Sequence, residues 1–290
     1  QLLSCTPPEQ AEAVFMTSGT TRGAERGRNV HSSLRVYDAS MRTGFRAAVM
    51  DGVERLPMAI LFPPPSLLPH SSLAHYLELA RSSFGTADSL HVVGRQGLDV
   101  DTLITWLEAA EAGGRACVLL GASFSFVHAM DALAGLGRRF RLPPGSRLFD
   151  TGGFKGQSRE IEPGRFYPAL TETFGVPEAR CINMYGLTEL SSQFYDRGNA
   201  VQPSLKRGPH WVRTRVVDPL SGQPVAAGQR GVLAHCDLAQ FNSVVCVLTE
   251  DAGIAVDDGF HLLGRVAGAD AKGCSLALDA FLAAVGGTPT

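Results

Sequence analysis

Over the first two-thirds of the chain, short apolar runs alternate with longer segments of helical period. Residues 13–17, 57–62, 89–93, 116–120, 147–150 and 180–184 predict strands: each is a brief apolar stretch bounded by turn-forming residues. Between several of them the period lengthens. Leu103, Ile104, Leu107 and Ala110 share one face of a helix that Asp99 or Asp101 can cap. Residues 124–136 predict a second helix, ended by Gly137. A third opens at Glu162-Pro163, runs to Phe174 and stops at Gly175. Alternation of this kind predicts an α/β fold, with a mostly parallel sheet between layers of helices. From about Ser191 the pattern becomes β-rich: residues 211–217, 231–236 and 244–249 predict strands, with turns at Pro219-Leu220-Ser221-Gly222 and Asp257-Asp258-Gly259. Residues 274–285 predict a short helix. The expected organisation is an α/β core over residues 1–190 and a smaller β-rich subdomain over 191–290.

Composition narrows this picture. With 290 residues and 44% hydrophobic content, the chain can bury one large core or two smaller ones. A net charge of −2 supplies no basic field for nucleic acid or an anionic membrane surface. No apolar run approaches the roughly 20 residues of a membrane helix, so no span is expected. The six cysteines form no CxxC pair and no zinc-site spacing with histidine. Cys117 and Cys246 lie in apolar runs (ACVLLGA and VVCVL), which predicts buried, reduced thiols and a cytoplasmic protein. No signal peptide is visible, and the first residue is Gln, so a preceding segment is expected to be missing.

The densest candidate chemistry follows the first predicted strand. Thr17, Ser18, Thr20 and Thr21 bring four hydroxyls, and Gly19 and Gly23 let backbone N–H groups approach phosphate oxygens closely. The segment is not a P-loop, because GxxxxGK[ST] is absent. Its order resembles the TSGTTG phosphate loop of adenylate-forming enzymes, the superfamily of acyl-CoA synthetases, luciferases and peptide-synthetase adenylation domains. The Pro-Lys pair that usually follows is missing, and Arg22 or Arg26 stands as the available cation. Further segments match in family order. Tyr185-Gly186-Leu187-Thr188-Glu189 resembles the YGxTE motif, which implies Tyr185 on adenine, Thr188 on the α-phosphate and Glu189 on Mg²⁺. Leu248-Thr249-Glu250-Asp251 resembles the TGD segment, implying that Asp251 accepts from both ribose hydroxyls. Asp258-Gly259-Phe260 through Gly264-Arg265 resembles DGYLxxxGR, with Arg265 toward ribose or phosphate. Asp251 and Arg265 lie 14 residues apart, the spacing of a short hairpin.

Two features resemble one branch, the LuxE-type acyl-protein synthetases. Asp150-Thr151-Gly152-Gly153-Phe154-Lys155-Gly156-Gln157-Ser158-Arg159-Glu160 lies where the superfamily lines its adenine and acyl pockets. Gly152 and Gly153 would admit the nucleotide. Lys155 either steadies a carboxylate or phosphate or is a solvated loop lysine. Arg159 and Glu160 pair with each other or cap the next helix. The chain ends soon after Cys274, with no room for a full C-terminal lid domain. The resemblance makes Cys274 a candidate acyl acceptor, which competes with a plain packing role at a helix start. It implies ATP and Mg²⁺ as cofactors, a carboxylic and specifically fatty acid as substrate, and an acyl-accepting reductase or carrier protein as partner. Two other functions fit the same residues: a stand-alone ligase passing its acyl group to coenzyme A or a carrier, and an inactive nucleotide-binding module.

Overall fold

The computed structural model describes residues 4–17, 27–152, 158–159, 161–241 and 243–265. They form two compact units. One comprises the described residues within Asp38–Gly186 and Gln193–Ser204, the other those within Gln1–Tyr37, Leu187–Ser192 and Leu205–Thr290.

The first unit is built on a six-stranded sheet in the order Phe194–Tyr195, Cys181–Tyr185, Arg147–Thr151, Val118–Ala122, Met58–Leu61, Leu90–His91. Only the Phe194–Tyr195 edge runs antiparallel. Every residue of Met58–Leu61, Val118–Ala122 and Arg147–Thr151 is buried, as expected of parallel strands covered on both faces. Neighbouring side chains point to opposite faces. Leu148 joins Leu103, Leu107, Phe126, Leu133 and Leu170, which come from helices Val100–Gly113, Ser123–Gly135 and Pro163–Phe174. Phe149 faces the other way and stacks on Tyr76 at 5.7 Å and against Phe45 at 5.8 Å. Those rings come from helices Ser72–Phe84 and Arg35–Phe45. Burying each such side chain stabilises the unit by about 1.5–3 kcal/mol.

Helix ends follow local chemistry. Asp99 is the cap, its Oδ1 accepting from Thr102 N at 3.0 Å. Gly175 ends helix Pro163–Phe174 at φ 70°, and a Cβ there would stand 2.8 Å from Arg141 Cα, so both the turn and the packing require glycine.

Several strand boundaries differ from the sequence reading. The strand expected at 116–120 runs Val118–Ala122, because Val118 is the first residue opposite both Met58 and Arg147. The run 89–93 divides: Leu90–His91 joins the parallel sheet, while Val93–Gly94 turns back as a small hairpin with Gly97–Leu98. The first strand is not part of the parallel sheet. Ala13–Met16 pairs antiparallel with Arg28–His31 in the other unit, and the intervening stretch is too short for the dozen or more residues of a parallel crossover.

The second unit contains a five-stranded antiparallel sheet in the order Leu205–Lys206, Gly259–Arg265, Cys246–Val256, Arg230–Asp237, Val212–Val217. The strand expected to end at residue 249 continues to Val256. Cys117 is buried as predicted, and burial pushes its thiol up to about 11. Cys246 is not buried: it lies on the exposed side of its strand, where alternate residues Cys246, Leu248 and Glu250 all face solvent. An apolar local sequence cannot distinguish the two faces of a half-covered sheet.

His235, 1% exposed, sits opposite Thr214, whose hydroxyl lies 3.0 Å from Nδ1. Burial pulls its pKa from 6.5 down to about 4. The folded protein therefore keeps this imidazole neutral, whereas the unfolded chain protonates it below pH 6.5. The contribution is present in full above pH 6.5 and is lost as pH falls, reaching about 3 kcal/mol near pH 4. Urea midpoints for wild type should drop between pH 7 and pH 4.5 more steeply than those of His235→Gln. Equal slopes would contradict the assignment.

Candidate nucleotide site

In the unit with the antiparallel sheet, Thr17 stands at the mouth of the hydroxyl- and glycine-rich loop. Its N–H donates to Gly27 O at 2.9 Å, and its Oγ1 accepts from Gly27 N at 2.9 Å. The loop is thus pinned at both ends by a single residue pair, and the Thr17 hydroxyl proton stays available to donate. Ser18, Gly19, Thr20, Thr21 and Gly23 lie outside the described residues, as do Gly153, Lys155, Glu160 and Cys274 and the helix expected at 274–285.

Thr188 and Glu189 form the corners of a turn closed by Leu190 N donating to Leu187 O. This turn is held by its backbone. Thr188 O accepts from Asn29 Nδ2 at 2.8 Å, and Asn29 is itself 1% exposed on strand Arg28–His31. Glu189 O accepts from Gln240 Nε2, whose Oε1 in turn receives the Ser191 hydroxyl at 2.5 Å. The next residues are anchored by Asp237, which is fully buried. Its carboxylate accepts from Ser191 N (3.0 Å), Ser192 N (2.8 Å), Ser192 Oγ (2.8 Å) and Ala239 N (2.9 Å). Trp211 Nε1 donates to Ser192 Oγ at 2.9 Å. The Glu189 carboxylate makes no hydrogen bond or ion pair to another described residue. The backbone of the turn is held while the Glu189 carboxylate is left for other partners.

Asp251 and Arg265 are direct cross-strand partners on the hairpin Cys246–Val256/Gly259–Arg265, with Arg265 Nε 3.9 Å from Asp251 Oδ1. The 14-residue spacing is therefore the hairpin that the sequence predicted. Asp251 lies between irregularities on both sides. Toward strand Arg230–Asp237 the pairing jumps between Val232 and Ala234; toward Gly259–Arg265 it shifts between Ala252 and Gly253. The alternation of exposed and half-buried positions breaks at this point into the buried run Asp251-Ala252-Gly253. Bulges of this sort redirect a side chain. The hydrogen bonds to Asn29 and to the Asp237–Gln240 segment hold the Thr188–Glu189 turn, and Asp237 ends a strand paired with the one that carries Asp251.

The parallel unit, taken by itself, carries Gly152, Tyr185 and Gly186 at the ends of adjacent strands on one edge of its sheet, where Thr151 is paired with Met184. This carboxyl edge is where open α/β sheets bind ligands. Gly152 has φ 79°. Beneath it, Asp150 is 2% exposed and accepts from Ser123 Oγ at 2.7 Å and Asn183 Nδ2 at 2.8 Å. Ser123 Oγ also lies 3.2 Å from Thr151 O and 3.3 Å from Gly152 O, so the carboxylate and both carbonyls compete for one hydroxyl proton. Tyr185 is 8% exposed, with its ring 5.8 Å from Phe194. Arg159 pairs with Asp131 at 2.8 Å; Glu160, its other expected partner, lies outside the described residues.

The supporting residues Asn29, Asp237, Gln240, Ser123 and Asn183 were not singled out from the sequence. Only Asp237 leaves a trace there, as a carboxylate closing the apolar run GVLAHCD. Among the described residues no three His, Cys, Asp or Glu side chains gather as a metal cluster, and no helix is long and apolar enough to cross a membrane.

A helix-flanked parallel sheet ending in the Tyr185-Gly186 motif, accompanied by an antiparallel sheet carrying Asp251 and Arg265, defines an adenylate-forming enzyme core. Solved structures of this class match most of the chain. ATP-bound MatB from Rhodopseudomonas palustris superposes with a TM-score of 0.60 at 14% identity, over 90% of this chain and 49% of that one. McyG A-PCP complexed with phenylalanyl-adenylate gives 0.61 at 15% identity, over 91% and 42%. Within this class, the profile of the acyl-protein synthetase family, LuxE, matches residues 82–283, and the chain belongs to that family. The long-chain-fatty-acid–luciferin-component ligase of Vibrio harveyi is 23% identical over 192 residues, 63% of this chain and 50% of the relative. The chain thus spans about half the length of this curated relative.

Removing the Asp237 carboxylate strands three backbone N–H groups. Asp237→Ala is expected to lower unfolding free energy by about 3 kcal/mol and Asp237→Asn, which keeps one acceptor oxygen, by about 1–2 kcal/mol. Urea titration measures both; an alanine variant within about 0.5 kcal/mol of wild type would refute the anchoring role.

Proposed function

We propose that this chain activates a fatty acid with ATP and transfers the acyl group to a thiol. The observation that carries the reading is the Glu189 carboxylate, unpaired among the described residues, on a turn whose backbone is held by Asn29, Gln240 and Asp237. Mg²⁺ is commonly bound by one or two carboxylates together with substrate phosphates and water, so a single glutamate on a backbone-held turn suits it. Tyr185 would face adenine, and Asp251 would accept from the ribose hydroxyls with Arg265 beside it. Thr188 and the loop beginning at Thr17 would donate to the phosphates. The family and the Vibrio harveyi relative support the class of reaction and a long-chain acid as substrate.

In the first step a substrate carboxylate oxygen attacks the α-phosphorus. The bond from that phosphorus to its bridging oxygen breaks and pyrophosphate leaves; Glu189 would hold the Mg²⁺ that offsets its charge. In the second step a thiolate attacks the acyl carbonyl and AMP departs. Cys274 is the proposed thiol, because acyl-AMP is a good electrophile and thiolate a strong nucleophile. A reductase or a carrier protein would then take the acyl group. The buried Cys117 and Cys181 thiols fit a protein working in the reducing cytoplasm.

Hydroxylamine trapping with ATP, Mg²⁺ and a panel of carboxylic acids should give an acid-dependent hydroxamate, strongest with long-chain acids and lowered at least about 100-fold in Glu189→Gln. Labelled acyl groups should stay on the protein without an added acceptor, disappear in Cys274→Ser and persist in Cys246→Ser. Magnesium-dependent ATP binding without pyrophosphate release would favour an inactive nucleotide-binding module instead. Labelling only of added coenzyme A would favour a stand-alone ligase.

A further inference from the structure

Cys236 and Cys246 take no part in the proposed chemistry, yet they face each other across the strands Arg230–Asp237 and Cys246–Val256. Their register position matters. Asp237 N donates to Val245 O at 2.8 Å, so the neighbouring pair 237/245 is hydrogen-bonded and the cysteines occupy a non-hydrogen-bonded site. There the facing Cα atoms approach to about 4.5 Å and the side chains stand closest. That separation lies within the roughly 4.4–6.8 Å that a disulfide spans. The two sulfurs are 2.7 Å apart, with Cys246 exposed and Cys236 partly so. Cys117 and Cys181, by contrast, are buried and shielded from solvent.

We infer that Cys236 and Cys246 form a reversible thiol–disulfide modification site, oxidised by small disulfides of the glutathione type. The Cys246 thiolate, the more accessible of the two, attacks one sulfur of the oxidant and expels a glutathione thiolate, leaving a mixed disulfide. The Cys236 thiolate then attacks the Cys246 sulfur, closes the cross-strand bond and releases the second glutathione. Two protein thiols are oxidised, one glutathione disulfide is reduced to two thiols, and the two protons lost by the cysteines are taken up by the departing thiolates. The sheet supplies the proximity for the second attack. A bond across directly opposed strands is strained and exposed, the combination that makes a disulfide labile, so reduction by thiols restores the pair. The site lies next to Asp237, whose carboxylate anchors Ser191 and Ser192 behind the Glu189 turn.

Both cysteines fall in one tryptic peptide, residues 231–265, which contains no internal Lys or Arg. The full chain would be equilibrated in glutathione buffers of increasing oxidised fraction, alkylated with N-ethylmaleimide, digested and weighed. The expected result is concerted loss of both alkyl additions from this peptide, a mass 2 Da below the reduced form, and full recovery with dithiothreitol. Cys236→Ser should convert the product to a glutathione adduct on Cys246. Persistence of both alkyl additions while Cys5 becomes glutathionylated would overturn the inference. So would independent glutathione adducts on the two wild-type cysteines, or cross-linking between chains in place of the internal bond.

Discussion

A buried carboxylate is costly unless every lone pair finds a donor. Asp237 resolves this by drawing in the backbone of Ser191, Ser192 and Ala239 and the hydroxyl of Ser192. The donors come from the segment that immediately follows Thr188 and Glu189, so satisfying the buried charge also fixes where that turn ends. Asn29 and Gln240 complete the restraint from two other directions. Side chains that touch no substrate therefore determine the position of those that the proposed chemistry uses. Among the described residues the Glu189 carboxylate has no partner, because the turn is held through its backbone.

Asp251 depends on a different device. A regular strand would carry Thr249, Glu250 and Asp251 alternately inward and outward. Paired irregularities toward both neighbouring strands interrupt that alternation and leave Asp251 8% exposed beside Arg265. The parallel unit solves its own positioning problem with Asp150, Ser123 and Asn183 under the carboxyl edge of the sheet.

What was legible in the sequence is what local chemistry decides. Asp99 caps its helix, Gly175 ends another, and the wholly apolar runs at Met58–Leu61 and Val118–Ala122 are strands buried on both faces. The Asp251–Arg265 hairpin was legible from the resemblance to the TGD and DGYLxxxGR segments together with their 14-residue spacing. The failures are non-local. Nothing near residue 29 announces a bond to Thr188, 159 positions away, and nothing near residue 237 announces Ser191. The first strand was placed in the wrong sheet because its partner, Arg28–His31, carries polar residues that mask its strand character. Cys246 was read as buried because its apolar neighbours hid which face it occupies.

Glu189 and Asp251, distant in sequence, are proposed to serve one nucleotide. Acid-dependent exchange of labelled pyrophosphate into ATP reads the first chemical step in both directions and needs no acyl acceptor. The account predicts exchange with a long-chain fatty acid that falls at least about 100-fold in Asp251→Asn, with the variant's urea midpoint close to wild type. Exchange that survives undiminished in that variant would contradict it.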